Sequence, residues 1–304
     1  MPSNFYCGTS GLVLPVPNKQ AFPEAYRAGS RLTYYASLFN SLEVNSCFYK
    51  IPKPATFARW TQETPPGFRF TIKLWKGITH VPSLDFSAAD LDRFMQTAAA
   101  IGPKKGCLLI QLPPGAKADT SPQLQRLLEK INQTLNPPLD HPAISGRSPR
   151  AEQPSISTGR SPRADHAAVA GQLPRAEHPP IPSDHPWRLA VEFRDRSWYT
   201  DSTDNLLKRF NATRVLQDIP RSFNWQPMPE TATIYLRYHG PAGDYKGTYS
   251  EERLIHDADQ IKEWLSHGKE VYVYFNNTIG DALPNARFLI DHVQPRYECQ
   301  PPTN

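Results

Sequence analysis

The stretch SAADLDRFMQTAAAIGPKKGCLLIQLPP, Ser87 to Pro114, reads as one helix followed by one strand. Ser87 with Asp90 three positions later marks a helix start, and Gly102-Pro103 marks its stop. Between them Leu91, Phe94, Met95, Ala98 and Ile101 recur at the spacing of a single helix face. The apolar run from Cys107 to Leu112 then reads as a strand.

The same alternation extends in both directions. Strand-like runs cover Asn4 to Gly8, Ser41 to Ser46 and Phe68 to Leu74 before this unit. Leu189 to Arg194, Thr213 to Asp218, Thr233 to His239 and Glu270 to Asn276 follow it. A second helix opens at Ser121-Pro122 with Leu124, Leu127, Leu128, Ile131 and Leu135 on one face, and a third follows Ser250 with Leu254, Ala258, Ile261 and Leu265. Strand and helix in repeated alternation require a parallel sheet with right-handed crossovers. Eight such units predict an α/β fold, an eight-stranded parallel β/α (TIM-type) barrel. The alternative is an open doubly wound sheet, disfavoured because the first strand lacks a Gly-rich dinucleotide turn.

One segment stands apart from this pattern. Residues 137–185 contain no Phe, Trp, Tyr, Met, Cys or Lys, and ten of the 49 are proline. They repeat GRSPRAE from Gly146, GRSPRAD from Gly159 and GQLPRAE from Gly171. So little apolar surface cannot offset the entropy of ordering the chain, and the copies are too short for a solenoid. The expected organisation is one barrel in two halves, 1–136 and 186–294, with a disordered low-complexity insertion between helix 4 and strand 5 and a disordered tail at 295–304. Taking 49 residues from 304 leaves 255, close to the ~250 of a β/α barrel.

Composition adds weaker constraints. The amino terminus has no basic region followed by an apolar run, and no segment approaches a membrane span. Cys7, Cys47, Cys107 and Cys299 are widely separated, which argues against a zinc site or a disulfide framework and suits a reducing cytoplasm. The formal net charge of +5 suits anionic ligands, but no dense Lys/Arg block marks a nucleic-acid footprint.

Alternation along the strands locates a candidate pocket, because barrel residues point in turn to the helix layer and to the interior. Leu42 and Val44 share one parity, so Glu43 and Asn45 point inward. Glu192 and Arg194 do so against Val191 and Phe193, and Tyr235, Arg237 and His239 against Ile234, Leu236 and Tyr238. Tyr272, Tyr274, Asn276, Lys73 and Gln111 follow the same rule. These polar groups gather toward the carboxyl ends of the strands, where β/α barrels carry their sites. A buried ion-pair network accounts equally well for any one pair of them.

The segments GTSG from Gly8, LTYYASLFNSLEVNSCFYKIP from Leu32, ITH from Ile78, QLPP from Gln111, VEFRDRSW from Val191, RYHG from Arg237 and YVYFNNTIGDALPNA from Tyr272 resemble the YecE-like family, defined by domain of unknown function number seventy-two. The resemblance covers most of residues 5 to 292 apart from the insertion. It implies a β/α barrel without implying a reaction, and its motif positions add His80 and Asn277 to the residues chosen by parity. Leu12 departs from a usual Trp, and Cys47 from a usual Thr.

Three functional readings follow. An anionic, phosphate-bearing ligand would take Lys73, Arg194 and Arg237 as charge partners, with Asn45, His80, Gln111, Asn276 and Asn277 lining its site. Gly240, Gly243, Gly247 and Gly280 lie where barrels cradle phosphate. Phosphoester or phosphodiester hydrolysis would use Glu43 or Glu192 as base and His239 as acid. A glycoside hydrolase would use Glu43 and Glu192, with Trp75, Trp198 and Tyr245 as stacking platforms. The third reading is a non-catalytic nucleic-acid or ligand-binding module. A metal held by Glu43, Glu192, Asp218 and His239 lacks supporting spacing, so no metal or other cofactor is expected.

Overall fold

The computed structural model describes residues 4–136 and 186–294. The expected disordered insertion and tail lie outside the described residues. Nine parallel strands alternate with helices: β1 Phe5–Thr9, β2 Ser41–Val44, β3 Arg69–Lys73, β4 Lys105–Gln111, β5 Arg188–Glu192, β6 Ala212–Arg214, β7 Leu216–Gln217, β8 Thr233–Tyr238 and β9 Glu270–Phe275. They form one sheet ordered β1-β9-β8-β7 and another ordered β2-β3-β4-β5-β6.

The expected sixth strand, Thr213 to Asp218, is therefore divided. Val215 donates its N–H to Val191 on β5, whereas the next residue, Leu216, pairs with Leu236 on β8. The chain changes hydrogen-bonding partner at that residue, passing from one sheet to the other. On the opposite side Ser10 bridges to Glu43 in parallel register, and Gly11 N–H donates to the Glu43 carbonyl at 2.8 Å. Gly8 permits this approach of β1 to β2, since a Cβ there would stand 2.0 Å from the Ser41 carbonyl oxygen.

Helix signals in the sequence match the structure closely. Ser87 caps the helix Ala88–Ala99 by accepting from the Asp90 N–H, and Leu91, Phe94, Met95 and Ala98 are buried. Loss of such a cap costs ~1 kcal/mol. Ser121–Leu135 buries Leu124, Leu127, Leu128 and Ile131, and Ser250 caps Glu251–Ser266.

Strand alternation separates two apolar layers. Leu42, Val44, Val191, Phe193, Ile234, Leu236, Tyr238, Val271, Val273 and Phe275 join the helices in one cluster. Tyr6, Cys107, Leu109, Ala190, Val215, Tyr235, Tyr272 and Tyr274 form another. This second layer becomes more polar toward the carboxyl ends. Tyr6 stacks on Tyr272 with centroids 4.8 Å apart, and further along Tyr274 Oη contacts the Ser41 and Thr71 hydroxyls at 2.5 and 2.8 Å. Beyond these hydroxyls come charges.

Candidate functional site

At the carboxyl ends of β2, β5 and β8 the interior holds Glu43, Glu192 and Arg237, all essentially inaccessible to water. Arg237 grips Glu43 in a bidentate pair, Nε to Oε2 at 2.9 Å and Nη2 to Oε1 at 2.7 Å. Its Nη2 also donates to Ser10 Oγ at 3.2 Å. Nη1 donates to Glu192 Oε2 and reaches His239 Nε2 at 3.2 Å. A guanidinium has five N–H donors in a fixed fork, and here each has an acceptor. Such saturation is what allows a buried arginine to be retained at all.

The same network fixes the state of His239. Asp218 Oδ1 accepts from the His239 backbone N–H at 2.7 Å and lies 3.2 Å from Nδ1, while Asp218 Oδ2 accepts from Tyr249 Oη. Nδ1 therefore carries the proton and Nε2 offers its lone pair to Arg237. A second proton on Nε2 would point at the arginine N–H. Burial, partly opposed by the hydrogen bond that His239 donates to Asp218 and reinforced by Arg237, keeps the ring less basic than usual. His239 is thus neutral and supports Arg237, a different place from the proton donor that the sequence suggested.

Glu43 is likewise fully occupied. Oε1 accepts from Ser10 Oγ and Arg237, and Oε2 from Tyr235 Oη and Arg237. Burial pushes its pKa up, but the arginine and these hydrogen bonds prevail and hold it below the ordinary value. Glu192 differs from it in one respect. Burial again opposes ionisation, and Arg194 with Arg237 pulls the carboxyl well below the usual range. Its Oε1, however, accepts no hydrogen bond. Arg194 Nε lies against this oxygen as an ion pair without aiming its N–H at it, and His239 Nε2 is 3.9 Å away.

Above this layer the groups are more open. Arg194 donates from Nη1 to Tyr245 Oη at 3.2 Å and from Nη2 to Gln111 Oε1 at 3.4 Å. Tyr245 stands edge-on to His239 with centroids 5.6 Å apart, and it holds a left-handed φ of +68°. For a non-glycine residue that conformation costs ~1–2 kcal/mol. Gly240 makes the turn possible, with φ of +99° and no room for a Cβ, which would meet Lys246 O at 2.2 Å.

Lys73 completes the group. Its Nζ lies 4.0 Å from the centroid of the Phe48 ring, and among the described residues it has no hydrogen bond or ion pair. Burial first, and the Arg237 charge second, lower its pKa to about 8. Asn45 donates from Nδ2 to Ser10 Oγ at 2.7 Å and leaves Oδ1 without a donor. His80 sits exposed at the rim, T-shaped to Phe48, its basicity lowered by partial desolvation and by Lys73 and Arg194.

Two positions drawn from the resemblance or from parity fall elsewhere or show less. Asn277 is buried and ties Gly247 O to Asn285 Oδ1, at 2.9 and 3.0 Å, so it braces loops. Asn276 is half-buried and its backbone N–H pairs with Tyr238. Trp198 stacks on Phe193 at 4.6 Å and donates to Ala116 O, which makes it a packing residue. Sequence reasoning missed Ser10 and Tyr249. The GTSG motif contained the first of them, but no local signal marked the second.

Among the described residues no group of three or more His, Cys, Asp or Glu is arranged for a metal ion, and no helix is long and apolar enough to cross a membrane. The larger described hollow, about 930 Å³, lies at the opposite end of the strands beside Arg69, Arg188 and Glu270. Asn136 and Pro186, which flank residues 137–185, form part of its wall, and none of the candidate residues does.

Known proteins resemble the chain in sequence and in fold. The chain is 30% identical over 115 residues to UPF0759 protein YecE of Escherichia coli (strain K12), a match spanning 38% of this chain and 42% of that relative's length. A DUF72 family protein from Enterococcus faecalis V583 superposes with a TM-score of 0.64 at 18% identity, over 99% of each chain. Another from Thermotoga maritima MSB8 gives 0.57 at 23% identity, over 94% of this chain and 97% of that one. The model for the family described as "Protein of unknown function DUF72" matches residues 6–304, and the chain belongs to that family.

Proposed function

We propose that this protein binds a small phosphate-bearing anion at the carboxyl ends of its strands, between Lys73 and Arg194. The observation that carries the reading is the Lys73 ammonium, partly buried and, among the described residues, without a hydrogen bond or ion pair, whereas Arg237 and Arg194 are paired with Glu43 and Glu192. A cation withdrawn from water without a partner is costly unless a ligand supplies the opposite charge.

Several features support a barrel as the frame of this site. Strands β6 and β7 serve as two halves of one stave, the Ser10–Glu43 bridge links the two sheets on one side, and Val215 links them on the other. Eight staves result. The buried thiols of Cys7, Cys47 and Cys107 are unpaired, which suits a reducing cytoplasm.

Phosphoester hydrolysis is the reaction these groups favour. Water oriented by Glu192 Oε1 attacks phosphorus as the ester P–O bond breaks, its proton passes to a non-bridging phosphate oxygen, and the departing oxygen takes a proton from Lys73. A loose phosphoryl-transfer transition state asks little of the base, so a weakly basic carboxylate that orients water suffices. Lys73 replaces His239 as the acid, since His239 has no proton on Nε2. A glycosidase built on Glu43 and Glu192 is less well supported, because Glu43 has both oxygens engaged.

Isothermal titration calorimetry with inorganic phosphate, and turnover of p-nitrophenyl phosphate, test this reading. Lys73→Met and Arg194→Met should each weaken phosphate binding ten-fold or more, about 1.4 kcal/mol. Absence of phosphate binding by the unaltered protein at millimolar concentration would refute it. Binding of a single-stranded oligonucleotide with steep salt dependence, and none of phosphate, would favour the nucleic-acid module instead.

A further inference from the structure

The atoms left without hydrogen-bond partners around Arg237 say more about the ligand than its charge does. Glu192 Oε1 and Asn45 Oδ1 are both buried acceptors with no donor. They flank the same guanidinium: Arg237 Nη1 donates to the other oxygen of Glu192, and Arg237 Nη2 donates to Ser10 Oγ, which accepts from the nitrogen of the Asn45 amide.

The Asn45 amide cannot be turned to remove the vacancy. Ser10 Oγ already gives its only proton to Glu43, so it must accept from Asn45, and Nδ2 must face it. Nor can Glu192 protonate to become a donor while Arg194 and Arg237 hold it ionised. Nearby, Arg194 Nε is a buried donor that also lacks a hydrogen bond. Asn45 Oδ1 therefore remains without a donor, and Glu192 Oε1 and Arg194 Nε have only their mutual ion pair, beside a Lys73 that makes no hydrogen bond or ion pair among the described residues.

We infer that the ligand is a polyol phosphate, a sugar phosphate in chemical class, whose hydroxyl groups donate to Glu192 Oε1 and Asn45 Oδ1. This rests on the anion reading and adds to it. A hydroxyl beside this ion pair can donate to Glu192 Oε1. Inorganic phosphate at neutral pH offers too few protons to fill such positions, and the backbone of a polynucleotide has none on its phosphates. Sites built around unmet polar atoms discriminate strongly against analogues that lack the complementary group. Tyr245, fixed at the rim by its bond from Arg194, supplies an aromatic surface suited to the C–H face of a sugar.

Calorimetric titration with ribose 5-phosphate, methyl phosphate and a twelve-residue oligothymidylate separates the possibilities. Ribose 5-phosphate should bind at least ten-fold tighter than methyl phosphate. Asn45→Ala and Glu192→Gln should each reduce that ratio at least three-fold. If Glu192→Gln fails to fold, Asn45→Ala alone decides, its melting temperature serving as control. Equal affinity for the two small phosphates would overturn the polyol assignment while sparing the anion site. Binding of neither phosphate would overturn both, and preferential binding of the oligothymidylate would replace the sugar phosphate with a polynucleotide.

Discussion

Replacing Lys73 with Met should make the protein more stable at neutral pH, and the gain should disappear in alkali. The ammonium is held at about 8 against an ordinary 10.5, by burial and then by Arg237. Each pH unit of separation is worth ~1.36 kcal/mol, so the ceiling is ~3.4 kcal/mol. Partial exposure of the side chain leaves some hydration and screening in place, which reduces the expected gain to ~1–2 kcal/mol. The sign follows from linkage. Between pH 8 and 10.5 the unfolded chain holds a proton on Lys73 that the folded chain has released, so wild-type stability rises with pH through this window. Below pH 8 both states are protonated and the penalty is constant. Above 10.5 neither is, and the penalty is gone.

Urea denaturation of both proteins at pH 7.0, 8.5 and 10 measures this directly. Subtracting one curve from the other cancels the contributions of the buried tyrosines, which are common to both. The variant should lead by ~1–2 kcal/mol at pH 7.0 and by less at each higher pH. A variant less stable than wild type at pH 7.0 would mean that Lys73 has a stabilising partner. That would refute the argument from an unpaired ammonium, and with it the anion site.

Three further outcomes follow from the same geometry. Phosphate affinity should fall toward ten-fold per pH unit above pH 8 as Lys73 loses its proton, measured by calorimetry in buffers of equal ionic strength. Glu43→Gln should cost ~3–5 kcal/mol of folding free energy, because it removes the charge opposite a buried Arg237; a loss under 1 kcal/mol in chemical denaturation would show the network to be loosely held. Replacing residues 137–185 with a short Gly/Ser linker should leave the melting temperature within a few degrees and phosphate binding intact, since Asn136 and Pro186 wall one cavity at the end opposite the site.

The sequence carried the strands and their two faces almost completely, for a reason visible at Tyr235 and Tyr238. A period of two forces neighbouring residues into different surroundings, and these two tyrosines fall in the inner and outer clusters as their parity requires. Division of the sixth strand at Val215 was not legible, because it depends on which neighbour accepts one backbone N–H. The convergence of Glu43, Glu192, Arg194, Arg237 and His239 in one candidate site was legible from parity, and these side chains do meet. Their roles were not legible. Parity shows where a side chain points and says nothing about how many of its atoms are already engaged.

That distinction decides which residues can act on a ligand. Arg237 looked like a phosphate partner from its charge, yet all its donors end on protein atoms, and a ligand could recruit it only by displacing Glu43, Glu192, Ser10 or His239. Each displacement would strand a buried polar group at ~1–3 kcal/mol or more. Arg194 and Lys73 involve less loss, since the Arg194 Nε–H makes no hydrogen bond beyond its ion pair with Glu192, and among the described residues Lys73 has no hydrogen bond or ion pair to give up. Arg237 therefore acts by holding Glu192 in place, with one oxygen toward Arg194 and the other toward itself. A charge-preserving Arg237→Lys variant should accordingly damage the fold and the site together, because an ammonium cannot reproduce a planar fork that serves five acceptors. Lys73→Arg should instead retain phosphate binding, since its task requires a positive charge and no set geometry. If calorimetry found Arg237→Lys folded and binding phosphate normally, while Lys73→Arg did not bind, the division between frame and contact would be reversed.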